Sequence, residues 1–332
     1  MVKTNPVSIR DVARAAAVST TTVSDALSGR GRLQQTTRDR VRSVAAELGY
    51  TANPNARWLR SGRTGAVGLY IPARVIGLEY YMHLALGAAD EAFAHGMALT
   101  LVPAWRNGTT TPPLHLDGVV VSDPVVGDPM LAKLGALGVP IVTCERDVTP
   151  GAEHAGRAEG DHRTEIARLL NHLADQGARR IAMLCPGDDT SFGLDIRTAH
   201  RDWCAERGLP HLLYDVPFAA PAQDVTRAAA RALTAGERPD AMVAVPDGSI
   251  VPALQAIHAE GLEVPHDLLL ASYVDSSAIG MLPVPITAVD LDPREMGHQS
   301  TRLLAELVEG ERDEGAVVQV PMTLKVRAST CR

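Results

Sequence analysis

Five short polar side chains fall on one side of a short helical pattern near the start of the chain. These are Thr20, Thr21, Ser24, Asp25 and Ser28. Small hydroxyl and carboxylate groups can hydrogen-bond to base edges and to phosphate oxygens without holding a helix out of a groove. A helix that only faces solvent more often carries long side chains such as Lys and Glu. The pattern therefore indicates a helix that contacts nucleic acid.

A second group of polar and aromatic side chains follows predicted strands later in the chain. It consists of Asp161, Arg197, Phe218, Asp247 and Asp275. In open α/β sheets, ligands meet the carboxyl ends of the strands. A carboxylate and an arginine can bind neighbouring hydroxyl groups through charge-assisted hydrogen bonds, and a phenyl ring offers an apolar face to a sugar. This group predicts a site for a small sugar or polyol.

Other interpretations of the second group stay open. The acids equally suit helix caps, Arg197 equally suits a structural ion pair, and Phe218 equally suits the core. Only 4% of the residues are aromatic. Because sugar sites often stack aromatic rings, a nucleoside or an amino-acid-like effector also stays possible.

The sequence offers little for catalysis or metal binding. The motifs G-x-S-x-G, GxxxxGK[ST] and H-E-x-x-H are absent. Four cysteines are widely spaced, without a pair at zinc-ligand spacing. His162, His172, His200 and His211 are scattered over predicted helices and strand starts. We expect a protein that is not an enzyme and needs neither a cofactor nor a metal ion.

Charge separates the first 63 residues from the rest. They carry 11 Lys and Arg against 4 Asp and Glu, whereas the 332-residue chain as a whole has a net charge of −7. A basic head on an acidic body indicates that the head meets a polyanion. The chain is 45% hydrophobic and lacks an apolar run of membrane-spanning length or a secretory signal. We expect a globular cytoplasmic protein, associated with the nucleoid and not with a membrane.

The head is predicted to contain three short helices. Ser8 and Asp11 form a capping pattern, Ser19 can cap the second helix, and Thr36 with Asp39 repeats the pattern before the third. Apolar stripes follow each cap, with Val12, Val23, Val41 and Leu48 among their members, and Gly49 ends the last helix. Two helices joined by a tight turn, the second presenting hydroxyls, are typical of a helix-turn-helix domain.

Three segments strongly resemble the lactose-repressor (LacI-type) family of bacterial transcription regulators. They are SIRDVARAAAVSTTTVS at 8–24, TRDRV at 37–41 and LGYTANPNARWLR at 48–60. The resemblance implies that Thr20, Thr21 and Asp25 read bases. It places a further set at or near phosphates: Thr22, Ser24, Ser28, Arg32 and Thr37. Ser19 and Asn53, at predicted N-cap positions, complete the predicted contacts of these segments with a double-stranded DNA operator.

Asp25 departs from the family pattern, which usually has arginine at this position. A carboxylate cannot bind the guanine O6 and N7 acceptors, but it can accept a hydrogen bond from cytosine N4. Alternatively, Asp25 faces solvent without contacting a base, so the family pattern does not fix the preferred operator half-site.

Residues 53–62 are predicted to form a hinge helix. Asn53 suits its N-cap, Pro54 its first turn and Gly62 its end. The resemblance implies that this helix enters the minor groove, with Leu59 as a wedge between base steps and with Arg57 and Arg60 at adjacent phosphates. The alternative is an ordinary linker that contains a proline and a glycine.

From residue 65 onward, strands and helices alternate. Apolar runs predict strands at 66–71, 98–102, 118–122, 140–144, 180–184, 211–216, 241–245, 268–273 and 286–289. Helical patterns lie at 81–95, 165–176, 194–207, 226–234, 249–260 and 294–308. This alternation predicts a doubly wound α/β fold with parallel sheets. Residues 103–117, rich in proline and threonine, break it where the family has a helix.

The resemblance implies a two-lobed periplasmic-binding-protein-like effector domain. The predicted domains are 1–52 for the helix-turn-helix, 53–62 for the hinge helix and 63–332 for the effector and dimerisation domain. Within it, lobe 1 takes about 63–160 and 291–320, and lobe 2 about 161–290 and 321–332.

We expect a ligand-responsive transcription regulator, most simply a repressor, that binds a pseudo-palindromic operator as a homodimer. A small molecule in the cleft between the lobes would then change DNA affinity. One alternative is a sugar-metabolising, kinase-like enzyme with a DNA-binding head, which would need a phosphate loop that the sequence lacks. Another is a solute-binding protein of a transporter, which the basic head opposes.

Overall fold

The computed structural model describes residues 7–28, 33–50, 62–104 and 114–331. Arg32, Asn53, Arg57, Leu59 and Arg60 lie outside these residues, as do the side chain of Ser28 and most of the 103–117 segment. The chain divides into two compact units, Met1–Thr64 and Gly65–Arg332.

The first unit contains three helices, α1 (Ile9–Ala15), α2 (Thr20–Ser28) and α3 (Gln35–Glu47). α1 begins at the predicted capping box, in which the backbone N–H of Ser8 donates to the Asp11 carboxylate at 3.0 Å. The predicted box at Thr36 and Asp39 is wrong, because α3 begins one residue earlier and Asp39 accepts from Gln35 Nε2 at 2.9 Å. Gly49 follows α3 with φ +64°, a conformation that suits glycine.

A small apolar core joins the three helices. It is built from Val12, Ala13, Ala16, Val23, Ala26, Val41 and Ala45. Leu48, which the apolar stripe assigns to this core, is instead 38% exposed. Each helix alone is too short to be stable in water, so burial of these small side chains holds the unit together.

The second unit contains two six-stranded sheets. Sheet one has the order β11-β5-β4-β3-β1-β2 and is parallel throughout. Sheet two has the order β12-β10-β9-β8-β6-β7 and is parallel except for β12, which runs antiparallel to β10. The strands are β1 (Ala66–Tyr70), β2 (Ala98–Val102), β3 (Gly118–Ser122), β4 (Ile141–Cys144), β5 (Gly156–Gly160), β6 (Ile181–Cys185), β7 (Leu212–Asp215), β8 (Ala241–Ala244), β9 (Leu269–Ser272), β10 (Thr287–Asp290), β11 (Ala316–Val320) and β12 (Thr323–Lys325).

Helices connect most of these strands, as parallel pairing requires. They are α4 (Glu79–Ala94), α5 (Pro129–Gly135), α6 (His162–Asp175), α7 (Ser191–Arg207), α8 (Ala222–Thr234), α9 (Ile250–Ala259), α10 (Ser277–Gly280) and α11 (Pro293–Glu309). The chain passes from sheet one to sheet two after β5, returns after β10 and crosses again after β11. Three connections therefore join the two lobes that the sheets form.

Backbone-close packing of α4 against α11 covers one face of sheet one. Gly87 faces the carbonyl of Arg294, and Gly297 faces the carbonyl of Leu84, so closely that neither position has space for a Cβ atom. α11 also contacts β3, β4, β5 and β11. Sheet two is covered on both faces, and each face has its own buried apolar cluster.

Candidate functional site

The predicted DNA-reading face of α2 is open to solvent. Thr20 and Thr21 are exposed, and Ser24 and Asp25 are partly exposed. Val23 and Ala26 are fully buried on the opposite face of the helix. α2 therefore presents short polar side chains outward while its apolar side chains hold it against α1 and α3.

Ser19 caps α2. Its Oγ accepts a hydrogen bond from the backbone N–H of Thr22 at 3.0 Å and lies 2.8 Å from the hydroxyl of Thr22. Thr37 lies partly buried in the first turn of α3. Ser19 thus fixes the start of the helix whose face carries the predicted base contacts.

A cavity lies between the two lobes of the second unit and contains about 390 Å³ of empty space, part of it open to solvent. Lobe 1 contributes Leu78, Tyr80, Tyr81, Asp123 and Glu145. Lobe 2 contributes His162, Phe192, Phe218, Pro246, Asp247, Val274 and Leu291. Apolar and aromatic walls with a few convergent polar groups are typical of a small-molecule site.

The strand order explains why the cavity lies there. In sheet one the chain direction across the sheet reverses between β1 and β3, and in sheet two between β6 and β8. Asp123 directly follows β3, and Asp247 comes shortly after β8. Such reversal points leave a crevice at the carboxyl ends of the strands, and here two crevices face each other.

Three titratable side chains form a buried cluster in the cavity wall: Asp123, Glu145 and His162. Burial, and then the charge of Glu145, raises the pKa of Asp123 to about 7. The Asp123 carboxylate accepts a hydrogen bond from the hydroxyl of Tyr81 at 2.8 Å. Burial lowers the pKa of His162, but Glu145, 3.3 Å away, and Asp123 outweigh this effect, so that its pKa is raised. The charges of the three side chains are therefore coupled to one another.

Polar contacts cross the cleft outside the cavity. Arg74 of lobe 1 forms a 2.8 Å ion pair with Asp189 of lobe 2, and Arg146 forms a 2.7 Å pair with Asp195. Ser277 donates to Glu79 at 2.8 Å. These contacts bring the lobes together in the present arrangement.

The structure brings two of the five predicted cleft residues to the cavity. Phe218 packs edge-on to Phe192, with ring centroids 5.4 Å apart. Asp247 accepts the backbone N–H of Tyr80 across the cleft at 3.4 Å. Burial raises the pKa of Asp247. Both side chains can therefore contact a molecule in the cavity.

The other three predicted residues have protein partners away from the cavity. Asp161 caps α6 and accepts from the N–H of Thr164 at 3.0 Å. Arg197 donates to Asp215 at 2.7 Å and to the carbonyl of Pro186. Asp275 accepts two 2.8 Å hydrogen bonds from the guanidinium group of Arg327. Their effector contacts remain predictions.

Sequence reasoning missed Asp123 and Glu145. Each immediately follows an all-buried apolar strand, β3 or β4. An acid close to the end of a buried strand is the pattern that points to Asp247, and the same pattern in the first lobe points to both residues. Their proximity to His162, which begins α6, depends on how the lobes meet and has no local signal.

Two features are absent from the described residues. They contain no group of three or more His, Cys, Asp and Glu side chains that could hold a metal ion. No helix within the same residues combines the length and the apolar composition needed to cross a bilayer.

Two family models match the chain in different regions. Residues 8–53 match the model of bacterial regulatory proteins of the lacI family, and residues 170–330 match a periplasmic binding protein-like domain. The HTH-type transcriptional regulator CelR of Thermobifida fusca is 27% identical over 329 residues, which are 96% of each chain. Catabolite control protein A of Staphylococcus xylosus is 24% identical and covers 98% of this chain and 99% of its own.

Solved structures share the fold. A CelR–cellobiose complex superposes with a TM-score of 0.72 at 24% identity, over 97% of this chain and 99% of that one. A lac repressor dimer bound to operator and the anti-inducer ONPF gives 0.74 at 21% identity, over 99% and 100%. The chain thus combines a lacI-type DNA-binding head with a periplasmic-binding-protein-like body, and it resembles HTH-type transcriptional regulators of the same two-part organisation over nearly its whole length.

Proposed function

We propose that this protein is a sugar-responsive repressor that binds a pseudo-palindromic operator as a homodimer. The observation that carries the proposal is the pairing of a solvent-open polar face on α2 with an enclosed, partly polar cavity between two lobes. Residues 1–52 would form the DNA-binding domain, 53–62 the hinge helix and 63–332 the effector and dimerisation domain, with the predicted lobe boundaries. A regulator of chromosomal genes acts in the cytoplasm at the nucleoid.

The exposed face of α4 supports the homodimer. Met82, Leu86 and Phe93 lie on one side of this helix and are 64%, 46% and 83% exposed. Lobe 2 adds the exposed side chains of Val251 and Met281. Apolar patches of this kind typically mark a protein contact, and a two-fold dimer would pair two DNA-binding heads with the two half-sites of an operator.

The cleft supports an effector that changes the arrangement of the lobes. Because side chains of both lobes line the cavity, a bound sugar contacts both lobes and can change how they meet. A change of this kind acts on the cross-cleft pairs Arg74–Asp189 and Arg146–Asp195. An effector that favours one lobe arrangement changes DNA affinity when the hinge helices respond to that arrangement.

A matched pair of substitutions tests the effector site. Phe218→Ala removes a ring from the cavity, whereas Arg197→Ala removes a side chain of the same lobe that is paired to Asp215. Operator affinity of each full-length variant is measured by fluorescence anisotropy while candidate sugars are added. We expect the Phe218 variant to bind the operator normally and to lose about tenfold or more in effector response.

If the effector lies in this cavity alone, the Arg197 variant keeps its effector response, whereas a reduced response in both variants would support the sequence prediction that Arg197 also contacts the effector. Loss of the response in Arg197→Ala with an unchanged response in Phe218→Ala would move the effector out of the cavity. The proposal also assigns no enzymatic activity to the chain. Incubation with sugars and ATP is therefore expected to leave both unchanged, and turnover of either would contradict this part of the proposal.

A further inference from the structure

The ionisable lining of the cavity is acidic. Lobe 1 contributes Asp123 and Glu145, lobe 2 contributes Asp247, and neither a lysine nor an arginine is among the lining residues described. The guanidinium of Arg74 lies 5.1 Å from the centroid of Phe218, but it is paired with Asp189. Three carboxyl groups thus face one cavity, and among the described lining residues His162 is the only basic side chain.

His162 supplies an independent sign of a missing partner. Its side chain is only 3% exposed, and its Nε2 makes no hydrogen bond within the described residues although Oε1 of Glu145 is 3.3 Å away. Its Nδ1 lies 3.0 Å from the phenol oxygen of Tyr273. When Nε2 is the unprotonated nitrogen of the neutral ring, it and Glu145 Oε1 are two acceptors that face each other. A donor group bound beside them would satisfy both.

Aromatic rings complete this environment. Phe192, Phe218, Tyr80 and Tyr81 all line the cavity, and the rings of Tyr80 and Tyr81 meet edge to face at 5.1 Å. The face of an aromatic ring carries negative electrostatic potential and attracts a cation that has lost part of its water shell. The aromatic walls therefore favour a bound cation, as the carboxylates also do.

We propose that the effector of this cleft carries a protonated amine beside its hydroxyl groups, as an amino sugar does. An ammonium group has three N–H donors and no acceptor, which matches a cavity lined by three carboxyl groups. A bare metal ion fits less well, because the described acids and histidines form no group that could hold one. The inference rests on the proposed function, since it names the chemical class of effector for the same site.

Matched sugar pairs test this inference on the full-length protein. Isothermal titration calorimetry at pH 7 compares glucosamine with glucose, galactosamine with galactose and mannosamine with mannose. We expect at least one amino sugar to bind about tenfold or more tightly than its neutral partner, as a charge-assisted contact implies. The N-acetyl derivative of that sugar, which lacks the charge, is expected to lose the advantage.

Two isosteric variants place the charge recognition in the cluster. Glu145→Gln and Asp123→Asn are each expected to reduce the amino-sugar preference by about tenfold, while binding of the neutral partner changes by less than about threefold. The control is Glu260→Gln, which alters an exposed acid at the end of α9 and is expected to keep the preference. Thermal unfolding of each variant shows that it is folded.

The outcomes separate this inference from the proposed function. Neutral sugars that bind as tightly as their amino partners would overturn the inference and leave the proposed sugar-responsive repressor intact. Binding of no member of any pair would overturn both. A preference for amino sugars that survives in both cluster variants would also overturn the inference, because the charge would then be recognised elsewhere.

Discussion

Asp123 and Glu145, whose carboxyl groups line the cleft, have a strained backbone conformation. Their φ values are +41° and +73°, a region that costs a residue with a side chain about 1–3 kcal/mol. Backbone hydrogen bonds hold each one: the N–H of Asp123 donates to Cys144 at 3.0 Å, and that of Glu145 donates to Ala158 at 2.7 Å. Strain kept at two cavity residues agrees with the proposal that their positions matter for binding.

The raised pKa of Asp123 predicts a pH-dependent effect on stability. Because its folded-state pKa is about 7 and its ordinary value is 3.8, the folded chain holds this proton more tightly than the unfolded chain does. The resulting stabilisation is complete below about pH 4 and is lost as pH rises through 7. The side chain at position 123 cannot ionise in Asp123→Asn. The free energy of unfolding of this variant, relative to that of wild type, is therefore expected to rise by about 1–4 kcal/mol as the pH goes from 4 to 8.

Urea unfolding at several pH values measures this difference. Asp313→Asn serves as the control, because the side chain of Asp313 is exposed to solvent. A difference between Asp123→Asn and wild type that stays constant from pH 4 to 8 would show that Asp123 titrates normally.

The sequence locates a side chain at the cavity where its position depends on its own strand. Phe218 and Asp247 follow strands of lobe 2 and reach the cavity. The role of Asp275 depends instead on Arg327, 52 residues later, and that of Arg197 on Asp215. Such long-range ion pairs leave no local signal, whereas the acids of lobe 1 carry a local signal that sequence reasoning overlooks.

At the scale of elements, the apolar patterns locate the strands closely. All nine predicted strands are present with ends shifted by at most one residue, because buried parallel strands are continuous apolar runs. The patterns miss three strands, β5, β11 and β12. The sequence of β5, GRAEG, contains two glycines and two charges and so lacks an apolar run. The patterns also miss α5, although Asp128 as its cap and Pro129 in its first turn are a recognisable start signal.

The cap of α2 predicts separable effects on folding and on DNA binding. Ser19→Ala removes the acceptor for the N–H of Thr22 and is expected to destabilise the head by about 1 kcal/mol. Ser19→Asp keeps an acceptor but adds a negative charge near the predicted phosphate contacts. For this second variant, thermal unfolding together with anisotropy on operator DNA is expected to show a stable head with weak DNA binding. Equal DNA affinity of Ser19→Asp and wild type would remove Ser19 from the DNA contact.

The close packing of α4 and α11 predicts a large effect from one methyl group. In Gly297→Ala the new Cβ meets backbone atoms of Leu84 and Ala88, which cannot move aside as a side chain can. We expect a loss of about 2–4 kcal/mol in the free energy of unfolding, at the upper end of overpacking effects.

Gly135→Ala is the matched control for this packing. Gly135 ends α5, and no described atom lies within 4 Å of the point where a Cβ would stand, so the substitution is expected to be neutral or to stabilise by about 0.5 kcal/mol. Similar stabilities of the two variants in urea unfolding would mean that the two helices are not packed this closely.

At the scale of the whole molecule, the exposed apolar side chains of α4 predict that a charge placed among them dissociates the dimer. Phe93→Glu places a charge on a side chain that is 83% exposed in the single chain and would be covered in the proposed dimer. Sedimentation equilibrium is expected to show a mass near two chains for wild type and a shift toward one chain for the variant. Arg312→Ala, on an exposed loop, is expected to leave the mass unchanged. An unshifted mass for Phe93→Glu would place the interface elsewhere.

The central claim is that two heads of one dimer read a symmetric operator. Selection of bound duplexes from random DNA by the full-length protein tests it most directly, with and without a pool of amino and neutral sugars. The account predicts a two-fold-symmetric site with a flexible pyrimidine–purine step at its centre, and enrichment that changes when the effector is present. Failure to enrich any sequence under both conditions, or enrichment of sites without symmetry, would contradict it.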